Sequence, residues 1–410
     1  MTRLSILRGS ALAAAGILAQ TVWADGFRNP PDTAAALGKA GKDTVWVDDA
    51  SAVFYNPANL VDVPSREVQF SALAGYSHAD YSGILGKTET ERPWSVLPAF
   101  ALAWPLTVKE QDLALGLGMH VPYGRQTRWD SRGVFRYAAP VYSQMMVADI
   151  SPALAWRVSD SVSVGAGLDM YYGRLKFRQL APFRPDSRIT ADTDGYAVGG
   201  NLGITWQVTS NQRLALTYRS PFDLKFDGDM ETTGIPRPAV SSSDVETTFK
   251  FPTIVTLGYG IQITETVRVE ADVEWLQGSR YKTMAIDAGA NRALVGMMGL
   301  GNTPQNWDDT WTFGIGPEWR FARDWTLRAG YLYLQSPIPD STFAPTSLDV
   351  DQSMVSVGLG YQRGRHAVDI AYALGIFDKR TVHSNQNPLY QECTYEFEGH
   401  LAALTYTYSF

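Results

Sequence analysis

The sequence predicts an all-β transmembrane fold: a 14-stranded antiparallel outer-membrane β-barrel with a small N-terminal helical hatch plugging its lumen. Three observations carry that prediction: apolar content without high hydropathy, apolar residues at every second position, and connections that alternate between short and long. Of the 410 residues, 45% are hydrophobic and 12% aromatic, yet the mean hydropathy is only -0.15. Apolar side chains must therefore be interleaved with polar ones rather than massed in spanning helices. The best apolar run after residue 30, Pro93 to Val108, contains Pro93, Pro98 and Pro105 and is too short to span as a helix. The aromatic load excludes disorder. A formal charge of -7 and the lack of any dense Lys/Arg run exclude a nucleic-acid partner.

In chain order, residues 1–24 read as a cleavable signal peptide. Arg3 and Arg8 form its basic region, Ala11 to Ala19 its apolar region and Val22-Trp23-Ala24 its cleavage site. Its removal takes away two arginines and no acid, moving the formal charge from -7 to -9. Residues 25–64 do not alternate. Ala34, Ala35, Ala36, Leu37 and Ala40 suggest short helical turns there, in a segment too small to fold alone, and a hatch inside the barrel is its natural place.

Residues 65–410 carry the strands. Trp311, Phe313, Ile315, Pro317, Trp319 and Phe321 share one face, opposed by Thr312, Gly314, Gly316, Glu318 and Arg320. Val267, Val269, Ala271, Val273 and Trp275 alternate with Arg268, Glu270, Asp272 and Glu274. The same reading puts Phe249, Phe251, Val255, Leu257, Tyr259 and Ile261 on one lipid-facing side.

Alternation alone suits a soluble sandwich as well as a barrel; the connections decide. Short polar turns fall at Lys109-Glu110, Ser159-Asp160, Ser210-Asn211, Thr264-Glu265, Ala322-Arg323 and Gly364-Arg365, with longer irregular stretches between them. They join strands starting near Arg66, Ser95, Asp112, Gln144, Ser161, Thr190, Gln212, Val245, Thr266, Asp308, Asp324, Asp351, Arg365 and Tyr395. The chain stops on Phe410 after alternating Ala402, Leu404, Tyr406 and Tyr408. That ending is similar to the signal read by the outer-membrane assembly machinery of Gram-negative bacteria, and it places the chain in the cell outer membrane.

A further set of positions recurs in order along the chain. They are Gly26-Phe27, Gly38 with Gly41, Asp48-Asp49-Ala50, Asn56-Pro57-Ala58, Phe251-Pro252, Asp272 with Trp275, Trp325-Thr326 with Arg328 and Gly330, Ser336-Pro337 with Pro339, and Phe410. In these the sequence resembles the FadL-type long-chain fatty acid transporter family, which includes channels for aromatic hydrocarbons. The resemblance implies an N-terminal hatch, capture of a hydrophobic ligand outside and sideways release through the wall. It implies a gating role for Asn56, Pro57 and Ala58, although Asn59 stands where Gly often follows. It also implies a kink in the third strand, for which Gly116, Gly118 and Pro122 are the candidates, since such residues weaken a ladder.

Candidate extracellular capture residues are Leu294, Val295, Met297, Met298 and Leu300, apolar and partly unbranched side chains on a long loop. Packing of the loop onto itself is the alternative. Arg125, Arg128, Arg132 and Arg136, interleaved with Trp129, Phe135 and Tyr137 after the third strand, could hold a carboxylate or bind lipopolysaccharide phosphates at the rim. Glu270 and Asp272 are expected to pair with lumen arginines or hatch backbone. Competing functions are a general diffusion porin and a lipid-handling outer-membrane enzyme. His78, His120, His366, His383 and His400 sit in no nucleophile motif, so no enzyme is expected. No cofactor or metal is expected either, and Cys393 reads as a loop bystander. The expected partners are a hydrophobic small molecule, outer-membrane lipid and lipopolysaccharide, and the assembly machinery, with the chain itself a monomer.

Overall fold

A computed structural model describes residues 26–92 and 94–410. The expected signal segment lies outside the described residues. Fourteen strands form the wall. They are β1 (Glu67–Gly83), β2 (Trp94–Val108), β3 (Gln111–Arg128), β4 (Tyr142–Ser159), β5 (Val162–Leu180) and β6 (Arg188–Thr209). Strand β7 has two segments, Gln212–Arg219 and Phe222–Thr233, and β8 also has two, Ser242–Phe251 and Ile254–Gln262. Then follow β9 (Val267–Leu276), β10 (Thr310–Ala322), β11 (Trp325–Leu334), β12 (Gln352–Arg363), β13 (His366–Phe377) and β14 (Cys393–Ser409). Neighbours pair antiparallel, and β1 closes the ring on β14 from Glu67↔Ser409 to Ser82↔Thr394. Every strand start read from the sequence falls within three residues of the observed one.

Alternation sets the two faces. On β10, Trp311, Phe313, Ile315, Trp319 and Phe321 are exposed toward the lipid. On β9, Glu270, Asp272 and Glu274 are buried in the lumen. The reading fails in β8: Phe249 and Phe251 are buried inward while Leu257 and Tyr259 face out. Pro252 and Thr253 interrupt the strand, and residues 254 and 256 inherit the inward face from 249 and 251. Proline cannot donate to a ladder, and β7 breaks at the same level, so the hairpin bends as a unit with its pairing register intact. Cys393 is not a loop residue either. It opens β14, is buried, and its thiol donates to the Tyr390 carbonyl at 3.2 Å.

The N-terminal segment lies inside this ring. Helix α1 (Ala34–Gly38) is capped by Thr33, whose hydroxyl accepts from Ala36 N. Helix α2 (Ala52–Tyr55) is followed by a 3-10 turn over Pro57–Asp62. The segment bonds to strands all around the lumen. Ala34 N donates to Thr405 on β14, the Thr44 and Trp46 amides donate to Glu270 on β9, and Ser356 on β12 donates to Gly38 O. Arg157 on β4 and Arg213 on β7 both grip Asp62. These contacts satisfy backbone groups that the short helices leave open. At the seam, Glu67 accepts from Ser409 Oγ at 3.0 Å through one oxygen and from Ala50 N at 3.2 Å through the other.

Candidate functional site

Asn56-Pro57-Ala58 sits on a floor of glycines. A Cβ on Gly165 would lie 2.4 Å from Ala58 N, and one on Gly203 would lie 2.1 Å from Asn56 Oδ1, so only glycine lets the turn approach the wall this closely. The Asn56 side chain accepts from Ala58 N at 3.1 Å and donates to Thr44 O at 2.8 Å and Thr205 Oγ1 at 2.9 Å. Asn59 is buried beside it. It donates to Val45 O at 3.0 Å and accepts from Thr205 Oγ1 at 2.6 Å, so the departure from Gly adds an anchor.

The wall opens between β2 and β3. Their ladder runs from Val108↔Gln111 to Phe100↔Met119 and stops. Above it, Trp94 to Ala99 stay paired with β1 but have no partner on β3. The third strand shifts register between His120 and Tyr123 and turns inward, with Tyr123 to Thr127 all buried. Its inner edge bonds to the N-terminal segment instead: Asn29 N donates to Pro122 O at 2.9 Å and Gly124 N to Phe27 O at 2.8 Å. Pro122 therefore lies at the break. Gly116 and Gly118 do not; both are paired on both sides, below it. Their lack of a side chain makes room for the N-terminal segment, since a Cβ would meet Leu60 at 2.8 Å and Phe54 at 2.6 Å respectively.

Two cavities adjoin the inner side of β3. The lower, about 150 Å³, reaches His120, Pro122 and Tyr123 and is lined by Arg28, Asp32 and Lys42. His120 places one ring nitrogen 2.9 Å from Asp32 of the N-terminal segment and the other 3.3 Å from Asp149 on β4. Arg219 on β7 lies 3.6 Å from Asp149 and 3.4 Å from Asp169 and donates to Phe54 O. This network ties segment to wall, and sequence reading missed it. Its members are scattered from 32 to 219 with no local spacing to betray them.

The upper cavity, about 380 Å³, is lined by apolar and uncharged polar side chains, among them Met145, Phe177, Phe249, Met284 and Met298. Arg125 is the one charged residue lining it among the described residues. A buried guanidinium in such surroundings carries a desolvation cost that partners must offset. Here Arg125 donates to Gly26 O and lies 5.1 Å from the centre of the Phe27 ring. Asp349 accepts from Gly26 N at 2.8 Å. Gly26 itself needs φ +69, and a Cβ would sit 2.5 Å from Trp307. Phe27 is thus pinned among Phe249, Phe251, Tyr281 and Trp307, with ring centres 4.6 to 5.6 Å away. This aromatic wall lines the upper cavity through Phe27, Phe249 and Tyr281, and Phe251 carries it to within 4.9 Å of Tyr123, which lines the lower one.

The predicted capture residues divide. Leu294 and Val295, on helix α3 (Arg292–Met297), are buried against Ile189, Met230 and Val245, packing the loop onto the barrel rim. Met298 and Leu300 line the upper cavity, and Met297 points to solvent at 67% exposure. The four arginines are not one loop cluster. Arg125 and Arg128 belong to β3, Arg132 is exposed, and Arg136 donates to Pro185 O. Glu270 and Asp272 take bonds from the N-terminal segment, as expected, through Thr44 and Trp46.

A family model described as outer membrane protein transport protein (OMPP1/FadL/TodX) matches residues 15–410. The chain belongs to this family. The OMPP1/FadL/TodX proteins are outer-membrane transporters of hydrophobic substrates rather than enzymes, which answers the enzyme alternative. A long-chain fatty acid transport protein of Escherichia coli O6:H1 is 23% identical, with 88% of this chain and 89% of that protein covered. A putative outer membrane protein of Neisseria meningitidis is 25% identical over 99% and 98% of the two chains. The crystal structure of a Pseudomonas aeruginosa FadL homologue superposes with a TM-score of 0.82 at 19% identity, covering 94% of this chain and all of the other. The Pseudomonas putida toluene transporter TodX gives 0.74 at 18% identity, over 94% and 99%.

Proposed function

We propose that the chain takes up hydrophobic compounds carrying an anionic head, captures them in the upper cavity and releases them sideways through the slot between β2 and β3. The observation that carries this reading is the parting of β3 from β2 above Met119, with both cavities adjoining the inner side of β3. Unpaired strand edges facing lipid are costly, so a slot kept in the wall has a use. A carboxylate entering the upper cavity competes with Gly26 O for Arg125. Loss of that bond unpins Phe27 and opens the aromatic wall toward Pro122, so the N-terminal segment acts as a ligand-triggered hatch. Relatives named for long-chain fatty acids and for toluene bracket the substrate class, and the guanidinium favours the acid. Exposed Phe410, with Tyr408 at 5.0 Å, is the proposed recognition point for the assembly machinery.

The test uses a strain lacking its own fatty-acid channel. Expression of the chain should restore uptake of labelled oleate. Leu97→Trp, which fills the slot from β2, should abolish uptake while the barrel keeps its heat-modifiable migration in gels. Undiminished uptake through a folded Leu97→Trp barrel would sink the lateral route. For the porin alternative, planar-bilayer conductance decides: large steady currents of small ions favour a porin, and near-silence favours a plugged barrel.

A further inference from the structure

We infer that the outward face of β3, β4 and β5, just above the lipid-facing belt, is a docking surface for the phosphorylated head of lipopolysaccharide. Short turns mark the periplasmic end of the barrel, so the long-loop end faces the outer leaflet. Climbing β5 toward that end, the outward residues are Leu168, Met170, Tyr172, Arg174, Lys176 and Arg178. The first two are exposed and apolar, Tyr172 lies 5.1 Å from Tyr196 as part of an interfacial belt, and the next three are cations. The switch from grease to charge therefore falls within one step of the strand, where hydrocarbon gives way to head groups.

Pairing extends the facet sideways. Arg178 is opposite Tyr142 on β4, which is opposite Arg128 on β3, and the Arg128 guanidinium lies 4.6 Å from the centre of the Tyr142 ring. Compensation is incomplete. Asp192 is shared by Arg174 at 2.7 Å and Lys176 at 3.3 Å, and among the described residues no carboxylate lies within 4.0 Å of Arg128 or Arg178. On β6, Asp194 stands opposite Arg174, so four cations face two acids, on a chain whose formal charge is -7. The neighbouring facet is opposite in sign, with Asp223, Asp227, Asp229, Glu231, Asp244 and Glu246 exposed on β7 and β8. The positive face is therefore a local feature. From Arg174 to Arg178 the cations climb about 13 Å of strand at roughly 3.3 Å per residue. That reach suits a head group carrying more than one phosphate, and guanidinium forks match phosphate oxygens.

The experiment titrates the full chain in detergent micelles with bisphosphorylated lipid A, with its dephosphorylated form and with phosphatidylglycerol, reading bound lipid by native mass spectrometry. Bisphosphorylated lipid A should be retained at least tenfold more tightly than either of the others. The triple variant R174Q/K176Q/R178Q should lose that preference. A charge-matched variant at the periplasmic rim, R320Q/R323Q/R365Q, should keep it. Heat-modifiable migration confirms that each barrel is folded. Wild-type retention by the folded triple variant, equal binding of dephosphorylated lipid A, or equal binding of phosphatidylglycerol would each overturn the assignment.

Discussion

Removing the Asn56 side chain should loosen the N-terminal segment without unfolding the barrel. Asn56 makes three buried hydrogen bonds of 3.1 Å or less, with Ala58 N, Thr44 O and Thr205 Oγ1, and a longer one to Asn59 Oδ1 at 3.4 Å. At about 1 kcal/mol net for each of the three shorter bonds, Asn56→Ala costs about 3 kcal/mol, and more where a partner is left buried and unpaired. With each 1.4 kcal/mol worth about a factor of ten, the opened population should rise about 100-fold. None of these bonds belongs to the wall's own ladder, so the cost falls on seating the segment. Hydrogen exchange with peptide-level readout measures it. Amides over residues 44–62 should lose about two decades of protection, while those of β10 to β13 stay within a factor of two or three. A folded variant whose protection over 44–62 is unchanged would refute the reasoning, because the Asn-Pro-Ala turn would then be held by shape alone.

Three further outcomes follow from the same geometry. Arg125→Met should cut oleate uptake by about tenfold or more and leave toluene uptake within a factor of two or three, since only the acid loses a charge-assisted bond; equal losses for both would remove the head-group role. Gly118→Leu should drive a side chain into Phe54 and Val53, costing about 1–3 kcal/mol of overpacking and lowering the thermal midpoint of the N-terminal segment. A variant with normal protection there but no uptake would instead point to a block at the wall. Burial and the nearby Asp43 carboxylate push the Asp49 carboxyl up to about 6, so the seated segment prefers that acid protonated. Its seating is then strongest at pH 4 and weakens as pH rises through 6. Asp49→Asn should flatten that dependence between pH 4 and 7, and an unaltered profile would assign the titration elsewhere.

Strands and turns were legible because barrel physics writes them locally: each wall residue faces lipid or lumen according to parity, and Trp311 to Phe321 obey that rule over their whole length. The break in β8 was hidden because Phe251 and Val255 keep the right parity across an interruption that reverses the faces. Pro122 falls where the β2–β3 ladder has ended and Gly116 and Gly118 fall within it, since a missing side chain serves a close approach as readily as a kink. Arg125 was visible as an arginine beside aromatics. Its burial depends on Gly26, Phe27 and Trp307, which the sequence holds far apart. Cavities assembled from such distant pieces have no period to detect.

The carboxylate of Glu67 has a bearing on the order of assembly. One oxygen holds the last strand and the other holds the amide of Ala50. A chain whose C-terminal strand is still unpaired offers the N-terminal segment a carboxylate not yet fixed in place and a lumen not yet bounded. Closing the ring and seating the segment are therefore coupled steps. A barrel arrested before closure would expose its interior segment to proteases, and a protease-resistant N-terminus would report that the last strand has found its place.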